Sequence, residues 1–230
     1  MSQLRRVSVL LAMIWCACSG LAQAHASASQ RLTAAKPHAP LAVSTFDHDR
    51  EGWLTTQDAT CFPIPCYSAT GGNPGGYIYS NDTLAGIKFY FVAPAKFLGN
   101  KVGAYKQHLT FEMHQDVLST VNQTRDADVI LTGAGLTLIF STPRTPPPFW
   151  YPYDVPLDET KGWRVGSMNG RQPTAAQMKS VLSSLTDLRI RGDYTFGQAT
   201  CSLDNVVLGG PSVTVPNVYE LILPIVSNQR

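Results

Sequence analysis

The chain has few charged residues and no segment in which charges of one sign accumulate. Only 15% of its 230 residues are Asp, Glu, Lys or Arg, and the formal net charge is +2. Beyond residue 26 the balance is 16 basic against 16 acidic residues, because Arg5 and Arg6 are the only basic residues before that point. A neutral surface with interspersed charges does not gather phosphates, so we expect no nucleic-acid partner and no anionic membrane partner.

The sequence also lacks the short motifs of common catalytic sites. It contains no His-Glu-x-x-His, no Gly-x-Ser-x-Gly and no Walker-type phosphate-binding spacing. Glu112 and His114 are two residues apart in a predicted strand and so would share one face, where they could bind zinc or shuttle protons. A hydrogen-bonded histidine is the simpler interpretation. We therefore predict that the protein is not an enzyme, with a glycan-cleaving enzyme as the less favoured alternative.

No apolar run is long enough to cross a membrane. Arg5-Arg6 precede an apolar run over residues 7–17, and small residues follow it, a pattern typical of a secretory signal peptide. We predict a signal peptide over residues 1–26 and a flexible linker over 27–43, which is rich in Ala, Ser and Pro. The mature protein would be secreted to the extracellular space, or to the periplasm of a Gram-negative cell, without membrane insertion after cleavage. Residues 211–230 form a predicted C-terminal tail.

Cysteines are few once the predicted signal peptide, with Cys16 and Cys18, is removed. Cys61, Cys66 and Cys201 remain, and exported proteins usually pair their cysteines. Cys61 and Cys66 enclose a short loop stiffened by two prolines, which favours a local disulfide. A link from one of them to Cys201 is the alternative.

Short runs rich in β-branched and aromatic residues are abundant. Gly, Pro and Asn separate them, which indicates many short strands and an all-β sandwich. The run Thr174-Ala175-Ala176-Gln177 fits a capping box and predicts one short helix. The predicted strands are residues 87–92, 109–113, 128–131, 136–140, 150–155, 188–194 and 203–208.

Several sequence blocks follow one another in a recognisable order. They are Phe46-Asp47 with Glu51-Gly52-Trp53, Gly71-Gly72-Asn73-Pro74-Gly75-Gly76, residues 90–101 and 128–138, Gly162-Trp163, and residues 188–194 and 203–206. This order resembles the laminin IV type A domain, also called the laminin B domain. The resemblance implies a jelly-roll-like β-sandwich similar to carbohydrate-binding modules over residues 44–210, with extracellular binding or structural roles and no catalytic residues.

The paired glycines of residues 71–76 predict a particular backbone geometry. Glycine permits positive φ and a close approach of neighbouring backbone. We expect this turn to be a hallmark of the fold and not the functional site.

Carboxylates near both ends of the predicted domain are candidate ligands of a structural calcium ion. Asp47 and Asp49 lie at its start and Asp204 lies in its last predicted strand. The resemblance to carbohydrate-binding modules implies that these ends meet, and calcium prefers such oxygen ligands. The alternative is that these side chains cap turns or accept backbone N–H bonds.

A dense aromatic patch supplies the candidate ligand-binding residues Trp150, Tyr151 and Tyr153. Flat aromatic rings stack on sugars while a few polar groups fix orientation. Strand alternation sends Trp150 to one face and both tyrosines to the other, so one set is expected in the core. The alternative is that both sets pack in the core. We predict a non-catalytic domain that binds an extracellular or cell-wall glycan. The alternative is a structural or adhesive domain that binds an extracellular protein.

Overall fold

The computed structural model describes residues 39–56, 59–82, 88–117, 126–195 and 198–216. The predicted signal peptide, most of the predicted linker and residues 217–230 lie outside this part. Within it no helix is long and apolar enough to cross a membrane.

Two antiparallel sheets of six strands each enclose a single core. The first sheet contains β1 (Ala42–Ser44), β3 (Cys66–Gly72), β4 (Gly75–Asn81), β6 (His108–Gln115), β9 (Tyr151–Pro156) and β12 (Thr200–Gly210). The second contains β2 (Leu54–Thr55), β5 (Tyr90–Val92), β7 (Val129–Gly133), β8 (Leu136–Phe140), β10 (Arg164–Val165) and β11 (Leu185–Arg191). This architecture confirms the predicted all-β sandwich.

The strand order brings distant parts of the chain together. The first sheet runs β3-β4-β12-β6-β9, with β1 also paired to β12, and the second runs β10-β8-β7-β11-β5-β2. Strand β12, the last that the structure describes, therefore lies in the middle of the first sheet. In its register Ser202 lies between Tyr79 and His114, and Asp204 lies opposite Glu112.

Alternating burial along β9 decides which of its aromatic residues can meet a ligand. Tyr151, Tyr153 and Val155 are buried, whereas Pro152 and Asp154 are half-buried on the other side. The ring of Tyr153 stacks on that of Phe111 with centroids 5.2 Å apart inside the core. The prediction that Tyr151 and Tyr153 bind a ligand is therefore corrected: alternation turns both rings into the sandwich.

A buried ion pair links the end of β11 to the residue that precedes β7. Arg191 and Asp128 are 2% and 4% exposed, with Nη1 and Oδ1 3.2 Å apart. Asp128 Oδ2 also accepts the backbone N–H of Thr142 at 2.7 Å. Burial raises the pKa of Asp128, and the Arg191 guanidinium opposes that rise. The Asp128 carboxylate is thus held in place by the ion pair on one oxygen and by the Thr142 N–H on the other.

The one α-helix among the described residues, α1 (Ala175–Ser183), begins at the predicted capping box. The Thr174 hydroxyl accepts the Gln177 N–H at 3.2 Å, and the Gln177 side chain accepts the Thr174 N–H at 3.0 Å. Met178, Val181 and Leu182 are buried, and the helix packs against β7 and β8. The prediction of one short helix is confirmed. Two short 3-10 helices, Ala95–Phe97 and Val102–Ala104, follow β5.

The sandwich begins earlier than the sequence suggested. Strand β1 pairs with β12, and the Leu41 N–H donates to the Leu208 carbonyl at 2.8 Å. Residues 42 and 43, which the sequence assigns to the linker over 27–43, therefore belong to the first sheet, and this boundary is corrected. A strand of three residues carries too little alternation to be recognised.

The described part of the predicted tail, residues 211–216, runs beside β9. The Val213 N–H donates to Asp154 Oδ2 at 3.0 Å, and the Tyr151 hydroxyl donates to the Pro216 carbonyl at 2.5 Å. These bonds attach the start of the tail to the edge of the first sheet.

The cysteines pair as the sequence favours. Cys61 and Cys66 form a disulfide with Cα atoms 5.5 Å apart, and Cys201 is free and buried in the core. Burial raises the pKa of the Cys201 thiol well above its usual value, which keeps it protonated and unreactive.

Candidate functional site

The outward side of the first sheet carries a row of four ring side chains. Tyr77 and Tyr79 lie on β4, His114 lies on β6, and Trp150 immediately precedes β9. The ring centroids are 5.6 Å apart for Tyr77 and Tyr79, 5.4 Å for Tyr77 and Trp150, and 5.6 Å for Trp150 and His114. All four are half-buried, so each keeps accessible surface. We call these four residues the aromatic platform.

The platform follows from alternation in strands that are distant in sequence. In β4, Ile78 and Ser80 are buried while Tyr77 and Tyr79 face outward. Between β4 and β6 the central strand β12 places only the small side chain of Ser202 at this level. The larger rings on either side can therefore form one continuous surface.

The glycine turn, residues 71–76, borders the platform. The Trp150 indole N–H donates to the Gly71 carbonyl at 2.8 Å, which fixes the orientation of the ring. Gly71 and Gly75 have φ of 95° and 89°, as the predicted role of the paired glycines requires. A Cβ added to Gly72 would lie 2.7 Å from Asp204 Oδ2, so the turn also needs glycine for close packing.

Buried polar groups tie the glycine turn to the sheet. Asp204 is fully buried; its Oδ2 accepts the Asn73 N–H and its Oδ1 accepts the Asn205 N–H, each at 2.7 Å. Glu112 Oε2 accepts the side-chain amides of Asn73 and Asn205, each at 3.0 Å. Burial, together with the charges of Glu112 and Asp47, raises the pKa of Asp204 to about 6. The turn is therefore held by the Asp204 carboxylate, whose oxygens accept backbone N–H groups where water would otherwise solvate them.

The three candidate calcium ligands have different surroundings. Asp47 is exposed, accepts the Thr45 hydroxyl at 2.8 Å and approaches Gly75. Asp49 accepts the Glu51 N–H at 2.6 Å within an exposed turn. In the part of the chain that the structure describes, no group of three or more His, Cys, Asp or Glu side chains is arranged to hold a metal. These contacts fit the alternative in which the carboxylates accept backbone donors, and calcium binding stays a prediction.

Sequence reasoning identified one member of the platform as a ligand contact. Trp150 lies on the accessible face, as one branch of the predicted alternation requires. The sequence indicates His114 only as a possible zinc ligand or proton shuttle beside Glu112, and it does not single out Tyr77 or Tyr79. Their alternation with Ile78 and Ser80 is the signal that could have found them.

The model of the family "Laminin B (Domain IV)" matches residues 90–215, more than half of the chain. The chain belongs to the laminin B family. Human laminin subunit gamma-1 is 32% identical to this laminin B domain over 195 residues, covering 79% of the chain and 11% of the relative. Zebrafish (Danio rerio) laminin subunit gamma-1 is 34% identical over 179 residues, covering 72% of the chain and 10% of the relative. The domain thus spans about a tenth of the curated relatives it matches.

Among solved structures, the L4b domain of human laminin alpha-2 superposes with a TM-score of 0.49 and 14% identity. That match covers 60% of this chain and 80% of the L4b chain. A family 11 carbohydrate-binding module of Clostridium thermocellum superposes with a TM-score of 0.46 and 11% identity, covering 74% and 95% of the two chains.

Proposed function

We propose that this laminin B domain is an exported, non-catalytic module that binds an extracellular or cell-wall glycan on its aromatic platform. The observation that carries the proposal is the continuous, half-exposed row of Tyr79, Tyr77, Trp150 and His114 on one sheet face. Rings of this kind stack on sugars, and adjacent polar groups select among hydroxyl patterns. Membership of the laminin B family supports a non-catalytic binding role.

Export is supported by two independent features. Residues 5–26 have the order of a secretory signal: basic residues, an apolar run and small residues. The Cys61–Cys66 disulfide is of a kind that persists in oxidising compartments. A glycan on a cell surface or in an extracellular matrix would be accessible to such a protein.

Glu112 and His114 lie beside each other on this face, yet their contacts favour binding over catalysis. The side-chain amides of Asn73 and Asn205 both donate to Glu112 Oε2, and these bonds hold the carboxylate against the glycine turn. We therefore assign Glu112 to positioning the turn. Release of reducing sugars by the wild-type chain, abolished by Glu112→Gln without unfolding, would contradict this assignment.

A protein partner is the second candidate, favoured by a separate observation. Phe62 and Ile64 at the tip of the disulfide loop are 53% and 57% exposed. Two large apolar side chains on an exposed loop suit a contact with another protein. A Phe62→Ser/Ile64→Ser variant that loses an extracellular protein partner while keeping glycan affinity would separate the two surfaces.

The test of the proposed function compares two tyrosines on opposite sheets. Tyr79→Ala and Trp150→Ala should each weaken binding on a glycan array and in titration by about 10-fold or more, as expected for central aromatic contacts. Tyr90→Ala is the matched control, because Tyr90 is also half-buried but lies on β5 of the second sheet. Equal affinity of all three variants and the wild type would refute the platform as the binding site.

A further inference from the structure

We infer that the aromatic platform binds a single, uncharged and conformationally free glycan chain, and that it discriminates against crystalline polysaccharide surfaces and polyanionic glycans. This inference rests on the proposed function of the same face. It adds a ligand class, which follows from the angles between the rings and from the distribution of charge around them.

The rings of the platform are steeply inclined to one another. The planes of Tyr77 and Tyr79 meet at 41°, those of Tyr77 and Trp150 at 76°, and those of His114 and Trp150 at 41°. A crystalline surface presents its sugar rings in one plane, so a module that stacks on it needs coplanar aromatic faces. Inclined rings can instead stack on successive sugars of one chain that turns about its glycosidic bonds.

The inclination is built into the fold. The indole of Trp150 is fixed by its hydrogen bond to the Gly71 carbonyl, and Gly71 belongs to the turn held by Asp204 and Glu112. The edge-to-face contact of Tyr77 with Trp150 is itself a favoured aromatic geometry. Flattening the platform would break these contacts, so a flat surface could engage only part of it.

The strands of the first sheet carry a net negative formal charge when histidine is counted as neutral. None of the six strands of the first sheet contains Lys or Arg, whereas the second sheet has Arg164, Arg189 and Arg191. The acidic residues of the first sheet are Glu112, Asp154 and Asp204. Sulfates and uronate carboxylates would find no cation on these strands to replace their hydration, and they would meet repulsion from Glu112.

The two histidines of the first sheet do not reverse this balance at neutral pH. Burial lowers the pKa of His114, so its ring in the platform is uncharged at neutral pH. His108 is paired with Asp154, away from the platform rings. The half-buried carboxylate of Glu112 and the exposed amide of Asn73 lie where they can bond sugar hydroxyls.

The test presents three classes of probe to the full exported chain at physiological salt. Soluble mixed-linked β-glucan, xylan and galactomannan represent uncharged chains, heparin and polygalacturonate represent polyanions, and crystalline cellulose and chitin represent surfaces. Affinity electrophoresis measures binding to the soluble probes, and co-sedimentation measures binding to the insoluble ones. We expect at least one uncharged chain to retard the wild-type protein. Affinity for that chain should fall about 10-fold or more in Trp150→Ala and Tyr79→Ala. It should stay unchanged in Tyr90→Ala.

The outcomes distinguish this inference from the proposed function. Binding to a polyanion or a crystalline surface that Trp150→Ala abolishes would overturn the inference and leave glycan binding by the platform intact. Failure to bind any probe or any glycan on an array would overturn both. Circular dichroism of each variant excludes unfolding, and Tyr79→Ala provides a second ring removal if Trp150→Ala fails to fold.

Discussion

The outward faces of the two sheets differ although both obey the same alternation. On the second sheet the outward positions mix polar and apolar side chains. Thr132 and Thr137 contact each other across neighbouring strands, and Arg189 pairs with Asp187 at 2.6 Å. Ile130 and Val92, which lie opposite Arg189 in the register, are half-buried apolar residues on the same side. On the first sheet the outward rings of Tyr77, Tyr79 and Trp150 contact one another. The second face mixes polar, charged and apolar side chains, whereas the first combines contacting aromatic rings with positioned polar groups. We therefore expect variants of the first face to change ligand binding, and variants of the second sheet to change stability.

The largest expected effect falls on the second sheet and concerns stability. Asp128→Ala removes the partner of buried Arg191 and should destabilise the fold by about 3–5 kcal/mol. Urea unfolding measures the change. Asp187→Ala is the control, because its pair with Arg189 is partly exposed and should contribute about 0–1 kcal/mol. Equal losses in the two variants would show that burial does not distinguish these pairs.

The next effect should couple stability to binding at the glycine turn. Gly72→Ala places a Cβ 2.5 Å from the Gly76 carbonyl and 2.7 Å from Asp204 Oδ2, and should cost about 1–3 kcal/mol. Glycan affinity should fall as well, because the turn fixes Trp150. Gly103→Ala has only ordinary contacts, 3.5 Å or more from Leu41, and serves as control. A Gly72→Ala variant with normal affinity would separate the turn from the platform.

A smaller effect isolates the orientation of one ring. Trp150→Phe keeps an aromatic ring but removes the indole N–H that donates to the Gly71 carbonyl. Losing one such bond should weaken glycan binding by about 0.5–1.5 kcal/mol, less than Trp150→Ala. Isothermal titration against the bound glycan measures both variants. An affinity for Trp150→Phe equal to that of Trp150→Ala would show that orientation, and not ring area, dominates.

The smallest expected effect concerns calcium. Both Asp204 oxygens already accept backbone N–H groups, so chelator should change the melting midpoint by less than the about 2–4 °C that 1 kcal/mol produces in a domain of this size. Differential scanning calorimetry with calcium and with EDTA measures it. A larger loss in EDTA that Asp204→Asn abolishes would instead place calcium between the two ends of the domain.

Local sequence signals predicted the parts of the fold that depend on neighbours in the chain. Strand β8 was predicted with its observed limits, and the Thr174 capping box marked the start of α1. Strands β2 and β10 have two residues each, too few to show a period, and β3 consists mostly of small and polar residues. Such elements form because longer neighbours offer them hydrogen bonds.

The candidate site was only partly predictable because it depends on pairing across the chain. Trp150 stood out by its own neighbourhood, but the ring contact between Tyr77 and Trp150 requires β4 and β9 to lie in one sheet. That placement depends on β12, which inserts between β4 and β6 from the far end of the sequence. No local period of hydrophobic residues encodes such an insertion, so the site can be recognised only when the strand order is known.

The adjacency of β1 and β12 has a consequence for how this domain could be distributed among proteins. The first of the described strands pairs with the last, with Ala42 opposite Leu208. The strands that begin and end the sandwich therefore lie side by side, before residues 211–216 continue along β9. Neighbouring ends let a folded unit be placed in a surface loop of a host without forcing the host apart. Such a cassette could be gained or lost by recombination while its carrier keeps folding, and its ligand could then evolve independently of the carrier.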